Sequence, residues 1–183
     1  MPKIVIHKKN WIELGYKLFS ETGISGIVVE KMSKKLNCNK SSFYWHFKTK
    51  KEFVLQLTNY WVDNETEKII KLTSFEKNTS QKLKLLIEIS YKKMPYLDFV
   101  FYLKRYALKE NKISKIIDSI DDQRIEYVNC LLKEIGYSNR DAKIKASLLY
   151  KHLIGYHEMM RYKEQKENFL IEVKKEINQF IDY

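Results

Sequence analysis

Proline and glycine are the residues that most often interrupt a helix, and this chain of 183 residues carries two Pro and five Gly. Alternation of apolar and polar residues over strand-length windows is scarce, while Lys, Glu, Leu and Ile dominate, so the chain reads as all-α. Hydrophobic residues make up 44% of it, enough for a packed core, and the length fits one large or two small domains. No apolar run approaches the roughly 20 residues of a membrane span. The N-terminus, MPKIVIHKKN, has no signal-peptide core or cleavage site. The expectation is a cytoplasmic protein.

Helical periodicity divides the chain. A first helix is expected over Lys8–Thr22, with Trp11, Leu14, Leu18 and Phe19 on its apolar stripe and Gly23 as the residue that ends it. Gly15 in mid-helix costs about 1 kcal/mol against Ala unless it serves close packing. A second helix covers residues 29–36, with Val29, Met32 and Leu36 inward and Lys31, Lys34 and Lys35 outward. A tight turn at residues 37–39 leads into a third helix over Lys40–Phe47, and two short helices so joined make a helix-turn-helix. Asn37 suits positive φ and Asn39 suits an N-cap. Thr49 and Glu52 form a capping box for a long helix over residues 50–72.

The third helix carries the chemistry. Phe43 and Phe47 are four residues apart and share a buried face. At about 100° per residue, Ser41 and Trp45 then lie opposite, with Tyr44 and Lys48 beside them. Hydroxyls, an indole N–H and an ammonium are donors suited to phosphates and base edges. Residues 1–60 hold eleven Lys against four Glu, a net +7, whereas the other 123 residues net +4. That skew points to a polyanionic partner. Lys50 and Lys51 occupy the first turn of the next helix, where the macrodipole disfavours cations, which makes sense if an anion sits there. A solubilising surface pair is the alternative.

The run Phe43-Tyr44-Trp45-His46-Phe47-Lys48-Thr49-Lys50 resembles the signature of tetracycline-repressor (TetR) family regulators, a hydrophobic residue, Tyr, any residue, His or Tyr, Phe, any two residues and Lys. Upstream, Leu18-Phe19 with Gly23, and Val29 with Met32-Ser33, match further family positions. The resemblance covers roughly residues 8–61. It implies a three-helix DNA-binding domain over residues 1–50 and a helical ligand-binding and dimerisation domain over residues 51–183. It also implies a homodimer through the last two helices, a palindromic double-stranded operator and a small-molecule inducer. Matching positions assign mainly phosphate contacts to Tyr44, His46 and Lys50. Lys40, Ser41, Ser42 and Trp45 are expected near base edges, with Lys48 beside them. Val28 stands where the family commonly has Ser or Thr, and its side chain can neither cap the second helix nor touch a phosphate.

Beyond residue 73 no comparable motif occurs. Residues 74–80 read as a connector. Helices are expected over residues 81–93, 95–109, 113–135 (broken near Asp121-Asp122 and stopped by Gly136), 138–161 and 165–181. Ser138 and Asp141 mark the start of the fourth of these, and Gly155 within it permits close approach of a neighbour. Leu170, Val173, Ile177 and Phe180 have the spacing of a helix-pairing seam. Residues 91–106 hold more aromatic side chains than one helix face can bury. Tyr91, Phe99, Tyr102 and Tyr106, with Trp61, Tyr127 and Tyr156, are therefore expected to line a site for a flat, hydrophobic molecule, with a cation among the options. A solid aromatic core is the alternative.

Cys38 and Cys130 have no metal-type spacing and read as small core hydrophobes. His152 and His157 are five apart, wrong for a metal pair on one helix face. His157-Glu158 reads as a solvated pair. No cofactor or catalytic motif is present, so neither cofactor nor enzyme activity is expected. The leading reading is a repressor that releases its operator when a small hydrophobic molecule binds. The alternative is a helix-turn-helix protein with no inducer, in an architectural or activating role.

Overall fold

The computed structural model describes residues 6–93 and 98–182. Within them the chain forms α-helices and no strands, in two compact units. The first unit comprises residues up to 63 together with residues 98–117, and the second residues 64–93 and 118–182.

In the first unit α1 (Lys8–Thr22) ends at Gly23, whose φ of 66° favours glycine. A Cβ there would also lie 2.7 Å from the Tyr102 ring. The buried face of α1 is Trp11, Ile12, Gly15, Tyr16 and Phe19, while Leu14 and Leu18 are only half-buried. The stripe is thus rotated from the expected one, because the rings of Phe43 and Phe99 meet α1 on the Trp11–Phe19 side. Gly15 provides space: a Cβ would fall 2.2 Å from Cζ of Phe53 in α4. After a 3-10 turn at Gly23–Gly26 come α2 (Val29–Lys35), α3 (Lys40–Phe47) and α4 (Lys50–Trp61). Val28 is the N-cap residue of α2 and makes no side-chain cap. The unit is completed by α7 (Asp98–Ala107) and the start of α8 (Asn111–Ile135).

The helix expected over residues 50–72 is longer and not uniform. A π-helical segment, Val62–Glu67, separates α4 from α5 (Lys68–Ser74). In the second unit Asn78 caps α6 (Thr79–Tyr91) by accepting from the Gln81 N–H at 3.1 Å. The break expected near Asp121-Asp122 is absent and α8 runs through it. Asp121 instead accepts a 2.6 Å hydrogen bond from the Tyr150 hydroxyl, so its carboxylate has no need of the helix backbone. Gly136, with φ 117°, follows the end of α8, and Ser138 caps α9 (Asn139–Met160).

The last helix is α10 (Phe169–Ile177), well short of the expected residues 165–181. Gln165 is bound elsewhere: its amide donates to the Tyr91 carbonyl at 2.7 Å and the Tyr156 hydroxyl at 3.0 Å, and its carbonyl accepts from the Lys93 N–H at 2.9 Å. The expected pairing seam also turns inward. Val173 and Ile177 are buried with Leu83, Ile87, Leu131, Leu132 and Ala146 in the core of their own unit, and Leu170 and Phe180 pack against that core. Pro95 and Tyr96 lie outside the described residues. Neither cysteine is core: Cys38 is half-buried, and exposed Cys130 donates weakly to Glu126. Among the described residues no helix is both long and apolar enough to cross a membrane.

Candidate nucleic-acid interface

The site is built on an aromatic cluster. The Phe43 ring lies 5.3 Å from Trp11, 5.1 Å from Phe47 and 5.0 Å from Phe53, mostly edge to face. These side chains are fully buried and come from α1, α3 and α4. Edge-to-face pairs add about 0.5–1.5 kcal/mol beyond area burial, so α3 is clamped on one side by three helices' worth of rings.

The opposite side of α3 is open. Trp45 is 81% exposed and Tyr44 46%, and Lys40, Ser41, Lys48 and Lys50 are exposed as well. A large apolar surface left in water on a short helix is informative where an isolated exposed Leu is not. Asn39 caps α3 by accepting from the Ser41 N–H at 3.2 Å, and Asn37 takes φ 51°. Thr49 caps α4 by accepting from the Glu52 N–H at 3.1 Å, while the Glu52 carboxylate accepts from Gln56.

Three features escaped the sequence. Lys48 has φ 57° and ψ −49°, and the Thr49 N–H donates to the Phe47 carbonyl across it. That is a γ-turn in its less favoured hand, which lets α4 start with only two residues between it and α3. Ser42 is half-buried and its hydroxyl accepts the Trp11 indole N–H at 3.4 Å. Half-buried His46 donates through Nε2 to the Ile6 carbonyl at 3.1 Å, which leaves its Nδ1 for another partner. Spacing on a single helix gives no sign of either long-range bond.

The residues expected to bind a small molecule are distributed over both units. In the first, Phe99 and Trp61 are buried 6.5 Å apart, and Phe99 stacks at 4.3 Å on Tyr16 and 5.1 Å from Phe19. Tyr102 and Tyr106 are half-buried, Tyr106 edge-on to Phe19. In the second, Tyr91 is 5.2 Å from Tyr156, and its hydroxyl bonds to His152 Nδ1 at 2.8 Å, with His152 Nε2 3.1 Å from Glu176. Tyr127 shares a 2.6 Å hydrogen bond with Thr73. His157 is not a solvated partner of Glu158. Its Nε2 donates to the Ser90 carbonyl at 2.7 Å, its Nδ1 is buried without a partner, and burial holds its pKa below the usual histidine value. Arg124, also missed, donates from Nε and Nη2 to Thr66 Oγ1 at 3.0 and 2.7 Å. Burial pushes the neighbouring Glu65 carboxyl upward against the pull of Arg124. Among the described residues no group of three His, Cys, Asp or Glu is placed to hold a metal ion.

A clamped short helix with an open face of aromatic, hydroxyl and ammonium groups, preceded by a helix and a tight turn, defines a helix-turn-helix DNA-binding protein. Residues 12–57 match the family model for bacterial regulatory proteins of the tetR family. The chain is 27% identical over 143 residues to the biofilm operon icaADBC HTH-type negative transcriptional regulator IcaR of Staphylococcus aureus, covering 75% of this chain and 72% of that one. Its fold is shared with a TetR transcriptional regulator from Legionella pneumophila (TM-score 0.77, 17% identity, 98% and 100% of the two chains). It is shared too with a putative transcriptional regulator from Saccharomonospora viridis solved in complex with choline (TM-score 0.79, 14% identity, 94% of each chain). Residues 12–57 thus form a tetR-type helix-turn-helix domain, and the chain is similar to DNA-binding transcriptional regulators of that family.

Proposed function

We propose that this regulator is a cytoplasmic repressor that places α3 of each subunit in the major groove of a palindromic operator and lets go when a small hydrophobic molecule binds. The observation that carries the DNA part is the open face of α3, with Trp45 81% exposed on a helix whose other face is fully buried. Lys40, Ser41, Ser42 and Trp45 approach base edges. Tyr44, His46, Lys48 and Lys50 hold phosphates, His46 through the nitrogen not used by Ile6. The functional division falls at residue 50, between the DNA-reading helices and the part that dimerises and senses. Half-sites are centred about one DNA turn apart. Repression is supported by the likeness to IcaR, a negative regulator. Operator binding measured across salt tests the assignment: Lys50→Ala weakens all sequences alike and lowers the salt slope by about 1 per subunit.

The dimer forms through the last two helices, chiefly the exposed stripe of α9. Ile144, Leu148 and Met159 are 50%, 45% and 66% exposed and fall on one helix face with Gly155, where an added Cβ would meet open space. The effector meets aromatic faces, drawn from Trp61, Phe99, Tyr102 and Tyr106 or from Tyr91, Tyr127 and Tyr156. The His157 Nδ1 acceptor beside Tyr91 supports a ligand with a donor group, and the choline complex of the Saccharomonospora protein supports a cationic one. The mutual burial of Phe99 and Trp61 favours the second reading, regulation without an inducer. A thermal-shift screen of flat hydrophobic and quaternary-amine compounds separates the two, since a ligand stabilises the state it binds.

A further inference from the structure

Lys50 and Lys51 are neighbours in sequence and both begin α4, where the helix dipole disfavours a cation. The structure gives them different surroundings. The Lys51 ammonium lies 2.7 Å from a Glu110 carboxylate oxygen, with the two side chains 74% and 25% exposed. Among the described residues no ion pair holds Lys50. Glu110 is the better-anchored partner. Its carbonyl accepts the Ile113 and Ser114 N–H groups at 2.9 and 3.1 Å, starting α8, and its own N–H donates to the Ala107 carbonyl at 3.1 Å. Its carboxylate and hydrogen bond hold the Lys51 ammonium above the usual lysine range.

The segment that carries Glu110 is itself tied to α1. Phe99 and Tyr106 pack on Phe19, and the Tyr102 ring sits where a side chain at Gly23 would be. The Lys51–Glu110 pair therefore closes a loop of contacts within the first unit: α4 to Glu110, the α7–α8 segment to α1, and α1 back to α4 through Gly15 and Phe53. Successive residues on a helix point about 100° apart, so a lysine turned toward Glu110 does not share its neighbour's direction.

We propose that Lys51 is a positioning residue and not a phosphate contact: its pair with Glu110 sets the first turn of α4, and so the placement of Lys48 and Lys50 against the DNA backbone. The proposal rests on the DNA-binding reading above. It assigns adjacent lysines to different tasks, one facing a phosphate and the other a carboxylate of its own chain.

The test measures operator affinity against salt concentration for the full-length dimer and five variants. Lys50→Ala lowers the salt slope by about 1 per subunit. Lys51→Met and Glu110→Gln each weaken binding by about two- to fivefold, the range of one partly exposed ion pair, with the slope unchanged. The exchange Lys51→Glu with Glu110→Lys restores affinity to near the starting value, because the pair re-forms with its ends reversed. A slope reduced by about 1 per subunit in Lys51→Met would make Lys51 a phosphate contact and overturn the proposal. So would an exchanged pair that binds as poorly as Lys51→Glu alone. An unchanged slope in Lys50→Ala would instead break the phosphate assignment itself. In that case a double-mutant cycle on thermal unfolding still reads the Lys51–Glu110 pair, and zero coupling there rejects it.

Discussion

Helices α3 and α10 are nearly the same length, eight and nine residues, and each buries two apolar side chains on one face. They use the other face differently. In α3 the outward side shows Trp45 and Tyr44 among lysines, and the helix is held by rings from α1 and α4. In α10 the outward side is mainly charged, with Ile171 as the exposed exception, and the inward side completes the core of its own unit. A helix that keeps a large aromatic in water is prepared for a partner. A helix that spends its apolar residues on its own core is part of the scaffold, even when their spacing looks like a pairing seam.

The largest effect should come from removing the anchor on each side. Phe43→Ala leaves a cavity among Trp11, Phe47 and Phe53 and costs about 3–5 kcal/mol, with operator binding lost. Ile177→Ala costs about 2–5 kcal/mol and leaves the dimer intact. Denaturant unfolding and sedimentation read both; a monomeric but undestabilised Ile177→Ala would mean that Ile177 faces the partner subunit and not its own core.

Leu148→Glu, on the exposed stripe of α9, should dissociate the dimer without unfolding it. Operator affinity then falls by about 100-fold or more, because linked recognition helices bind with an avidity that separate ones lack. A Leu148→Glu protein that sediments as a dimer and binds normally would place the interface elsewhere.

Gly15→Ala tests how tightly the first unit is closed. Helix propensity favours the change by about 1 kcal/mol. The new methyl would stand 2.2 Å from the Phe53 ring, and overpacking costs about 1–3 kcal/mol. The denaturation midpoint should fall, and Phe53→Leu in the same chain should recover it. A rise in the midpoint from Gly15→Ala alone would mean that α1 and α4 have room to part.

The smallest effect is one of pH in the second unit. The folded state keeps His157 below its ordinary value of 6.5, so the unfolded chain binds more protons in the interval between the two values. Stability from this group is full above about pH 6.5, declines as pH falls through that value, and levels off below the lowered folded one. His157→Gln should flatten this part of the pH–stability curve. An unchanged curve would show that Nδ1 reaches water or an acceptor that takes its proton, so that charging the ring costs nothing on folding.

Residues near one another in sequence settled most of the first unit. Asn39, Phe43, Phe47 and Thr49 lie within eleven positions, and caps and i, i+4 pairs act over that distance, so α3 was expected with the bounds and cap it has. The two-sidedness of α3, and with it the face proposed to meet DNA, follows from the same local period. The charge skew toward the first 60 residues was likewise plain from the sequence.

What depended on distant partners was settled only by the tertiary structure. Gln165 could have continued a helix, but Tyr91 and Tyr156 take its amide, and α10 starts at Phe169. Asp121 looked like a break until Tyr150 supplied its hydrogen bond. Val173 and Ile177 have the spacing of a pairing seam and of a core stripe equally, and the period that makes a face cannot say what covers it. Lys51 differs from Lys50 only because Glu110, fifty-nine residues away, is brought to 2.7 Å. A side chain's own chemistry limits the partners it accepts; which of them it meets is decided by the packing of the whole unit.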